Sequence, residues 1–288
     1  MINALTVDVE DYFQVAALSE TIRPQDWENW PCRVEQNTHR IMALLDEKGV
    51  RGTFFILGWI AERYPQLVRE IQKAGHEIAS HGYSHQLVYA QTPEVFREET
   101  HRSKALLEDI TGEPIIGYRA ASYSITRKSL WALDILADLG FQWDSSIFPV
   151  VHDRYGIPNT PRFPYRIETR QGTLTEFPIS TCRIGSYLLP IAGGGYFRIF
   201  PYWLSQWGLA RVNREGQPFI FYLHPWEVDP EQPRVPVSAR SRFRHYTNLD
   251  QTMPRLARLL DRFRFGPVRD VLDQRALETL RLDEALAA

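Results

Sequence analysis

Two histidines four residues apart, His81 and His85, offer the clearest chemistry in the sequence. Two imidazoles at this spacing can reach one metal ion if the backbone between them coils by about one turn. A chain with eight histidines can also contain such a pair by accident, since histidine is a common surface residue. The position of the pair favours a metal site, because it follows a strand-like run and precedes a helix-like one, where α/β folds place their chemistry.

Three carboxylates, Asp8, Glu10 and Asp11, follow a β-rich run near the N-terminus and are the natural source of a further ligand. Carboxylates crowded at the end of a buried strand repel one another unless a cation or an arginine neutralises some of them. If strand geometry persists, Asp8 and Glu10 share a face, whereas a bend after Val9 would bring Asp11 round instead. The alternative for the whole cluster is a solvated acidic loop.

Three more polar residues end strand-like runs. Arg119 can hold a carboxylate ionised and correctly aimed through a charge-assisted pair, or can belong to a structural ion pair. His224 can act as a general acid, or can be satisfied by hydrogen bonds at a strand terminus. Asp144 ends another such run, and this repetition is more informative than any one member of it.

The elements that must position these residues alternate between strand and helix. Strand-like runs cover 3–9, 51–57, 77–79, 115–118, 141–144 and 218–224, and helical periodicity covers 34–48, 60–74, 93–110, 126–139, 202–213 and 249–263. This order predicts an α/β fold with a parallel sheet and helical crossovers, either open or closed into a barrel. In a parallel barrel, Asp8, His81 and Arg119 would project toward the same C-terminal rim.

Composition narrows the class of protein. The chain has 288 residues, 44% of them hydrophobic and 24% charged, which is typical of a soluble globular protein. A formal net charge of −2 gives no basic footprint for nucleic acid or an anionic membrane, and no apolar run approaches the ~20 residues of a membrane helix. Without a recognisable signal peptide, we expect a cytoplasmic protein. Its two cysteines argue against a disulfide framework, and the oligomeric state stays open.

Three consecutive glycines, 193–195, precede the aromatic residues Tyr196 and Phe197. No lysine stands at P-loop spacing, which argues against a phosphate loop. The glycines indicate that the backbone passes close to a sugar or to another strand, with one of the two aromatic rings as a stacking face.

Taken in chain order, these motifs resemble the polysaccharide deacetylase family with the NodB homology domain (carbohydrate esterase family 4). The resemblance is carried by Asp8-Val9-Glu10-Asp11, by 77–85 with its two histidines, by Tyr118-Arg119, by Trp143-Asp144 and by Leu223-His224. Segments 193–198 and 243–246 are similar to a branch associated with bacterial exopolysaccharide biosynthesis and exosortases. The resemblance implies a distorted (β/α) barrel. The lack of a linker or repeat indicates one domain over 1–288, and the apolar spacing after residue 248 indicates a C-terminal helical extension at about 248–288. The resemblance also implies a divalent metal held by one carboxylate and two histidines, and removal of acetyl groups from N-acetylated sugars.

The sequence departs from the usual family pattern at two motifs. The common first motif has two adjacent aspartates, base then ligand, whereas here Asp8 is separated from Asp11. We therefore assign Asp8 as base, with either Glu10 or Asp11 as the third ligand beside His81 and His85. The arginine motif continues as 120–123, Ala-Ala-Ser-Tyr, instead of the usual prolines and tyrosine, which leaves the oxyanion donor open.

The expected reaction is metal-assisted amide hydrolysis with Zn²⁺, the cation suited to two imidazoles and one carboxylate. In this scheme Asp8 takes a proton from water, Arg119 orients Asp8, and His224 protonates the departing sugar amine. Asp144 is expected to tune His224 by pairing with its other ring nitrogen. Two alternatives stay open: a cyclic-amide, allantoinase-like hydrolase on the same barrel, and an inactive relative that only binds glycan.

Overall fold

A ten-stranded, largely parallel β-sheet forms the centre of the molecule. The protein was analysed as a computed structural model, which describes residues 1–152, 154–282 and 284. The main strands, in chain order, are β1 (Ile2–Val9), β2 (Thr53–Ile56), β3 (Glu77–Ser80), β4 (Gly117–Tyr118), β5 (Trp143–Asp144), β6 (Tyr165–Thr169), β7 (Gly172–Glu176), β8 (Thr181–Ile184), β9 (Tyr187–Pro190), β10 (Ile220–Leu223), β11 (Arg264–Gly266) and β12 (Thr279–Arg281). Their order in the sheet is β10-β1-β2-β3-β4-β5-β7-β6-β12, with β11 also paired to β1 and with β8 and β9 forming a separate hairpin.

Helices connect the parallel strands and cover the sheet. They are α1 (Val34–Glu47), α2 (Gly58–Arg63), α3 (Pro65–Lys73), α4 (Pro93–Thr111), α5 (Trp131–Asp138), α6 (Gly194–Ile199), α7 (Tyr202–Arg214), α8 (Ala239–Tyr246), α9 (Leu249–Arg262) and α10 (Val268–Asp273). Pro65 begins α3, because proline fits the first turn of a helix but not its interior. Strands β2, β3 and β10 are buried at every position, as expected for parallel strands covered on both faces.

The register of the parallel strands brings their carboxyl ends to one rim. Val9 lies opposite Ile56, Ile56 lies opposite Ser80, and Ser80 lies opposite Tyr118. On the other side of β1, Val7 lies opposite Leu223. The residues that follow β1, β3, β4 and β10 therefore emerge side by side. The α/β fold and the shared rim predicted from the sequence are both confirmed.

The two ends of the sheet, β10 and β12, are not joined to each other by a strand ladder within the described residues. Irregular backbone instead approaches the free edge of β10: the Tyr222 N–H donates to Ala192 O (2.8 Å), and the Ile220 N–H donates to Ser180 Oγ (2.9 Å). The barrel implied by the family resemblance is thus strongly distorted on this side.

The three glycines belong to this irregular edge. Gly193 has φ +134°, and a Cβ on it would lie 1.8 Å from the backbone oxygen of Tyr222. A Cβ on Gly194 would meet the Tyr222 ring at 2.6 Å, whereas one on Gly195 would meet nothing closer than 3.8 Å. The close approach predicted from the glycines is therefore an approach to strand β10.

The described part of the segment 248–288 contains short strands as well as the expected helices, and residues 283 and 285–288 lie outside the described residues. Besides α9 and α10 the segment contributes β11, which pairs with β1, and β12, which pairs with β6. These short strands, together with the β8–β9 hairpin, lack the long apolar alternation that identifies strands in a sequence. In the part of the chain that the structure describes, no helix has the length and apolar character needed to cross a membrane.

Candidate metal and catalytic site

Glu10, His81 and His85 meet at the rim where β1 and β3 end. One potential ligand atom from each residue lies within 4.8 Å of the other two. Glu10 Oε2 is 2.6 Å from His85 Nε2. The pair lacks the alignment of a hydrogen bond, and this buried oxygen has no other partner among the described residues. An unsatisfied carboxylate oxygen facing two imidazoles is the donor set of a divalent cation site, so the residues fit such a cation.

The loop after β3 brings the two histidines together although it is not helical. Gly82 and His85 both have left-handed backbone, with φ of +74° and +54°. The loop is fixed to the start of α2, where the Gly58 N–H donates to Gly82 O at 2.8 Å. His81 Nδ1 lies 2.8 Å from Arg119 O, which orients the ring and leaves Nε2 free to face the site.

Charge and burial in this cluster favour metal ligation. Burial lowers the pKa of His81 to about 4, so its imidazole is neutral and can donate a lone pair at pH 7. Burial opposes ionisation of Glu10, but His85 and His224 outweigh it and lower the pKa of this carboxyl. Glu10 therefore carries the negative charge that a divalent cation requires.

Asp11, the other candidate ligand, lies outside this cluster. Its Oδ1 accepts the Tyr12 N–H at 2.7 Å, and its Oδ2 accepts the Val34 N–H at 2.8 Å and the Arg33 N–H. It thus satisfies the first N–H groups of a short 3₁₀ turn and of α1. Both Asp11 oxygens thus accept backbone N–H groups, and of the two carboxylates left open by the sequence it is Glu10 that lies with His81 and His85.

Asp8 is held by Arg119, the pairing expected from the sequence. Arg119 Nη1 donates to Asp8 Oδ1 at 2.5 Å and to Thr6 Oγ1 at 2.8 Å. The other side of the guanidinium donates to Ser145, through Nε to the backbone oxygen and through Nη2 to the hydroxyl. All three guanidinium nitrogens of this fully buried arginine therefore donate hydrogen bonds, and Asp8 is held beside the candidate metal site.

His224 follows β10 and faces both acidic residues of the site. Its Nε2 lies 3.6 Å from Glu10 Oε1 and 3.8 Å from Asp8 Oδ2. Its Nδ1 lies 2.6 Å from Glu227 Oε1. Burial lowers the pKa of His224, but Glu10 and Glu227 outweigh it and raise this pKa to about 9. The ring is therefore a proton donor at neutral pH.

Glu227 and Arg198 are functional candidates that the sequence reasoning missed. Glu227 Oε2 accepts from Arg198 Nε at 2.5 Å, and both side chains are buried. Arg198 also donates to the backbone oxygens of Arg244, His245 and Thr247. The signal available in the sequence was the spacing of His224 and Glu227, which stand three residues apart and form a reciprocal cap.

Asp144 does not contact His224, so the role expected for it is wrong. It lies on β5 directly opposite Glu176 on β7, and its Oδ1 accepts from the Ser146 hydroxyl at 2.5 Å. Burial raises the pKa of Asp144 to about 6, and burial together with Asp144 raises the pKa of Glu176. The two carboxyls form a buried pair behind Arg119, while Glu227 occupies the place beside His224 that Asp144 was expected to take.

The turn after Arg119 carries two more left-handed residues, Ser122 (φ +51°) and Tyr123 (φ +54°). The Tyr123 N–H donates to Ala120 O at 3.0 Å, so this backbone donor is used within the turn. The Tyr123 ring packs against Tyr222 with ring centroids 5.2 Å apart, and Tyr222 lies in turn 5.7 Å from the ring of His224. The turn therefore forms an aromatic wall next to the catalytic candidates.

Two family models match the chain, one after the other. Residues 26–143 match the model described as polysaccharide deacetylase, and residues 145–273 match a domain of unknown function (DUF3473). His81, His85 and Arg119 lie in the first match, and His224 and Glu227 lie in the second. Both parts of the chain therefore contribute to one site.

Comparison with individual proteins points in the same direction. A curated relative, the peptidoglycan deacetylase-like protein FGM2 of Gibberella zeae, is 31% identical over 110 residues, which are 38% of this chain. The match spans about a third of that relative's length, 32%. Among solved structures, a Mycobacterium smegmatis protein assigned to the polysaccharide deacetylases superposes with a TM-score of 0.62 at 23% identity, covering 96% of this chain and 92% of its own. PuuE allantoinase superposes with a TM-score of 0.61 at 14% identity, covering 93% and 87%. Both structural similarities concern the fold alone.

Proposed function

Because the chain carries a polysaccharide deacetylase domain over residues 26–143, we propose that it is a metal-dependent deacetylase that hydrolyses N-acetyl groups of amino sugars. The observation that carries this proposal is the convergence of Glu10, His81 and His85 beside Asp8 and His224 at one rim. This arrangement combines a cation site, a base held by an arginine, and a protonated imidazole within a few ångströms.

The cation would supply Lewis-acid polarisation of the acetamide carbonyl, and Zn²⁺ suits a set of two imidazoles and one carboxylate. Asp8 accepts a proton from the attacking water, while the hydrogen bond from Arg119 orients this carboxylate. His224 donates a proton to the sugar nitrogen as the C–N bond breaks, which gives acetate and a free amine. Glu227 fixes the tautomer and orientation of the His224 ring.

We further propose that the amino sugar belongs to an exopolysaccharide or its precursor. The support is the resemblance of segments 193–198 and 243–246 to a branch of the family linked to exopolysaccharide synthesis. Both segments lie beside the site, since Arg198 anchors Glu227 and is itself bound to the backbone of Arg244 and His245. In the single domain proposed over 1–288, the region that matches the domain of unknown function would then form one half of the active site.

Acetate release from a panel of N-acetylhexosamine oligomers, with and without chelator, tests the proposal. We expect release that a chelator abolishes and that added Zn²⁺ restores, together with about one bound cation per chain. Turnover of allantoin in place of the oligomers would favour the cyclic-amide hydrolase, whose fold is similar. Binding of oligomers with neither metal nor turnover would favour a glycan-binding relative.

A further inference from the structure

A cavity of about 470 Å³ opens beside the catalytic candidates. It shares Tyr222 and Ser122 with the aromatic wall of the site. Because the Tyr222 ring also packs against His224, the cavity lies next to the place where the acetamide would be cleaved. Its volume falls within the usual range for small-molecule and sugar sites.

The walls of the cavity are aromatic. Tyr155 and Tyr196 face one another with hydroxyl oxygens 3.0 Å apart, and the His152 ring stacks on Tyr155 at 3.7 Å. Flat rings of this kind pack against the apolar faces of sugars, while their hydroxyl groups reach polar substituents. The cavity is therefore suited to a sugar unit that adjoins the one being deacetylated.

The two arginines among the described lining residues give the cavity wall positive charge. Arg154 and Arg244 line it, and no Asp or Glu is among the described lining residues. This is a local feature, because the whole chain has a formal net charge of −2. Burial raises the pKa of the Tyr155 hydroxyl, and the positive charge of the neighbouring Arg244 opposes that rise.

Neither arginine is neutralised by a carboxylate within the described residues. The guanidinium of Arg154 donates to Ala16 O at 3.4 Å, and the side chain of Arg244 makes no hydrogen bond or ion pair there. Some exposed arginines elsewhere are paired with carboxylates, such as Arg97 with Asp138 and Arg102 with Glu62. Two guanidinium groups that lack a carboxylate partner among the described residues, placed at an aromatic cavity, are suited to a carboxylate or phosphate, which arginine binds in a bidentate manner.

We propose that this cavity is a subsite for an anionic group on the glycan, a carboxylate or phosphate within about one sugar unit of the acetamide, bound by Arg154 and Arg244. The inference rests on the proposed deacetylase function and specifies its substrate class. The anion has two possible chemical sources, a uronic acid in the polymer and a diphosphate that links the glycan to a lipid. Most of the cavity, including both arginines, is formed by residues within the match to the domain of unknown function.

Three probes separate these sources: tetra-N-acetylchitotetraose as the neutral probe, a hyaluronan tetrasaccharide as the uronate probe, and di-N-acetylchitobiose joined through diphosphate to farnesol. We measure kcat/KM for acetate release and, independently of turnover, Kd by calorimetry. The wild type should prefer at least one charged probe over the neutral one. Arg154→Gln and Arg244→Gln should each reduce that preference about tenfold, and the double variant should abolish it.

Arg242→Gln is the matched control, because Arg242 is an exposed arginine on the same helix, α8, and does not line the cavity. It should keep the wild-type preference. Loss of preference for the hyaluronan probe identifies a carboxylate, and loss for the farnesyl probe identifies a phosphate. A charged-to-neutral binding ratio that is unchanged in the double variant, or equally reduced in Arg242→Gln, would overturn the subsite. Absence of acetate release from every probe would instead refute the deacetylase function, while the calorimetric ratios would still decide the subsite.

Discussion

At the scale of single residues, three neighbouring acids contact three different sets of partners. Asp8 is paired with Arg119, Glu10 faces two histidines, and Asp11 caps the starts of two helices. These roles follow from the hydrogen-bond donors within reach of each carboxylate, because the three side chains have similar intrinsic chemistry.

Substitution of these acids should separate their roles. We expect Glu10→Gln to lose bound metal, since a neutral amide binds a divalent cation weakly. Asp11→Asn should retain metal and lower the free energy of unfolding by about 1–2 kcal/mol, the usual cost of a lost cap. Asp8→Asn should retain metal and lose turnover. Metal analysis and urea unfolding of the three variants check this, and full metal occupancy in Glu10→Gln would refute the ligand assignment.

Glu227 should matter for catalysis through His224. We expect His224→Ala to lower kcat for an acetamide substrate by roughly 10²- to 10⁴-fold, the usual contribution of a general acid. Glu227→Gln should give a smaller loss, about tenfold or more, and Glu227→Asp should recover part of it. Both losses should shrink with 4-nitrophenyl acetate, because its leaving group needs no proton. Equal losses on both substrates would mean that Glu227 only supports the fold.

At the scale of elements, strand ends and irregular edges carry the site. The buried ends of β1, β3, β4 and β10 deliver the reactive residues, and the segment 192–195 fills the free edge of β10. The residues of this edge are constrained by backbone contacts, so their substitution tests the packing of the sheet.

Gly193→Ala should be strongly destabilising. Its backbone has positive φ, and the new Cβ would collide with the Tyr222 carbonyl, which cannot move without breaking β10. We expect the free energy of unfolding to fall by about 3 kcal/mol or more. Gly195→Ala is the control, because nothing lies within 3.8 Å of its Cβ and alanine favours the helix. Urea unfolding of both variants measures the difference, and similar stabilities would contradict the close approach.

The buried pair of Asp144 and Glu176 should make stability depend on pH. The pKa of both carboxyls is raised in the folded state, to about 6 for Asp144, so their protonated forms are favoured there. A raised folded pKa contributes stability that is complete below the unfolded pKa and is lost as the pH rises through the folded pKa. The wild type should therefore begin to lose this contribution above about pH 4, with the part from Asp144 lost as the pH rises through about 6 and the part from Glu176 lost at higher pH.

Glu176→Gln keeps the oxygen that accepts the Ile147 N–H and removes one charge of the pair. We expect its Tm to exceed that of the wild type by a few degrees at pH 7.5 and by much less at pH 4.5. Thermal unfolding at both pH values gives the two differences. A Tm difference that does not change with pH would show that ionisation of these two carboxyls does not destabilise the folded state.

At the scale of the whole molecule, hydrogen bonds from the surrounding fold hold the residues of the candidate metal site. His81 is oriented by Arg119 O, Glu10 accepts from Trp226 Nε1 at 3.1 Å, and the loop after β3 is tied to α2. The cluster contributes a few residues at the rim of a core that extends through the entire sheet.

Removal of metal should therefore abolish activity and leave the fold. We expect chelator-treated protein to keep the far-UV circular dichroism spectrum of the metal-loaded form and to lose only the Tm increment that a bound ligand confers. His81→Ala and His85→Ala should behave like the chelated protein, without metal or turnover. Unfolding of the chelated protein at 25 °C would contradict a preformed site and indicate a structural metal.

The sequence by itself determined the alternation of strands and helices, the common rim and most of the site. Long apolar runs such as 51–57 and 218–224 indicate buried parallel strands, and parallel strands bring their carboxyl ends together. Asp8, His81, Arg119 and His224 could be identified because each stands where a strand-like run ends, and His85 because of its spacing from His81. Their proximity in space therefore follows from local patterns and the topology of a parallel sheet.

Only the tertiary structure decided between Glu10 and Asp11, replaced Asp144 by Glu227 beside His224, and brought Arg154 and Arg244 to one cavity. Each of these outcomes depends on side-chain direction after a bend, or on contacts between segments far apart in sequence. Periodicity carries no information on such contacts, because hydrogen bonds between distant segments are set by how the loops pack. The short strands β11 and β12 form for the same reason, through pairing with a sheet edge that the rest of the chain provides.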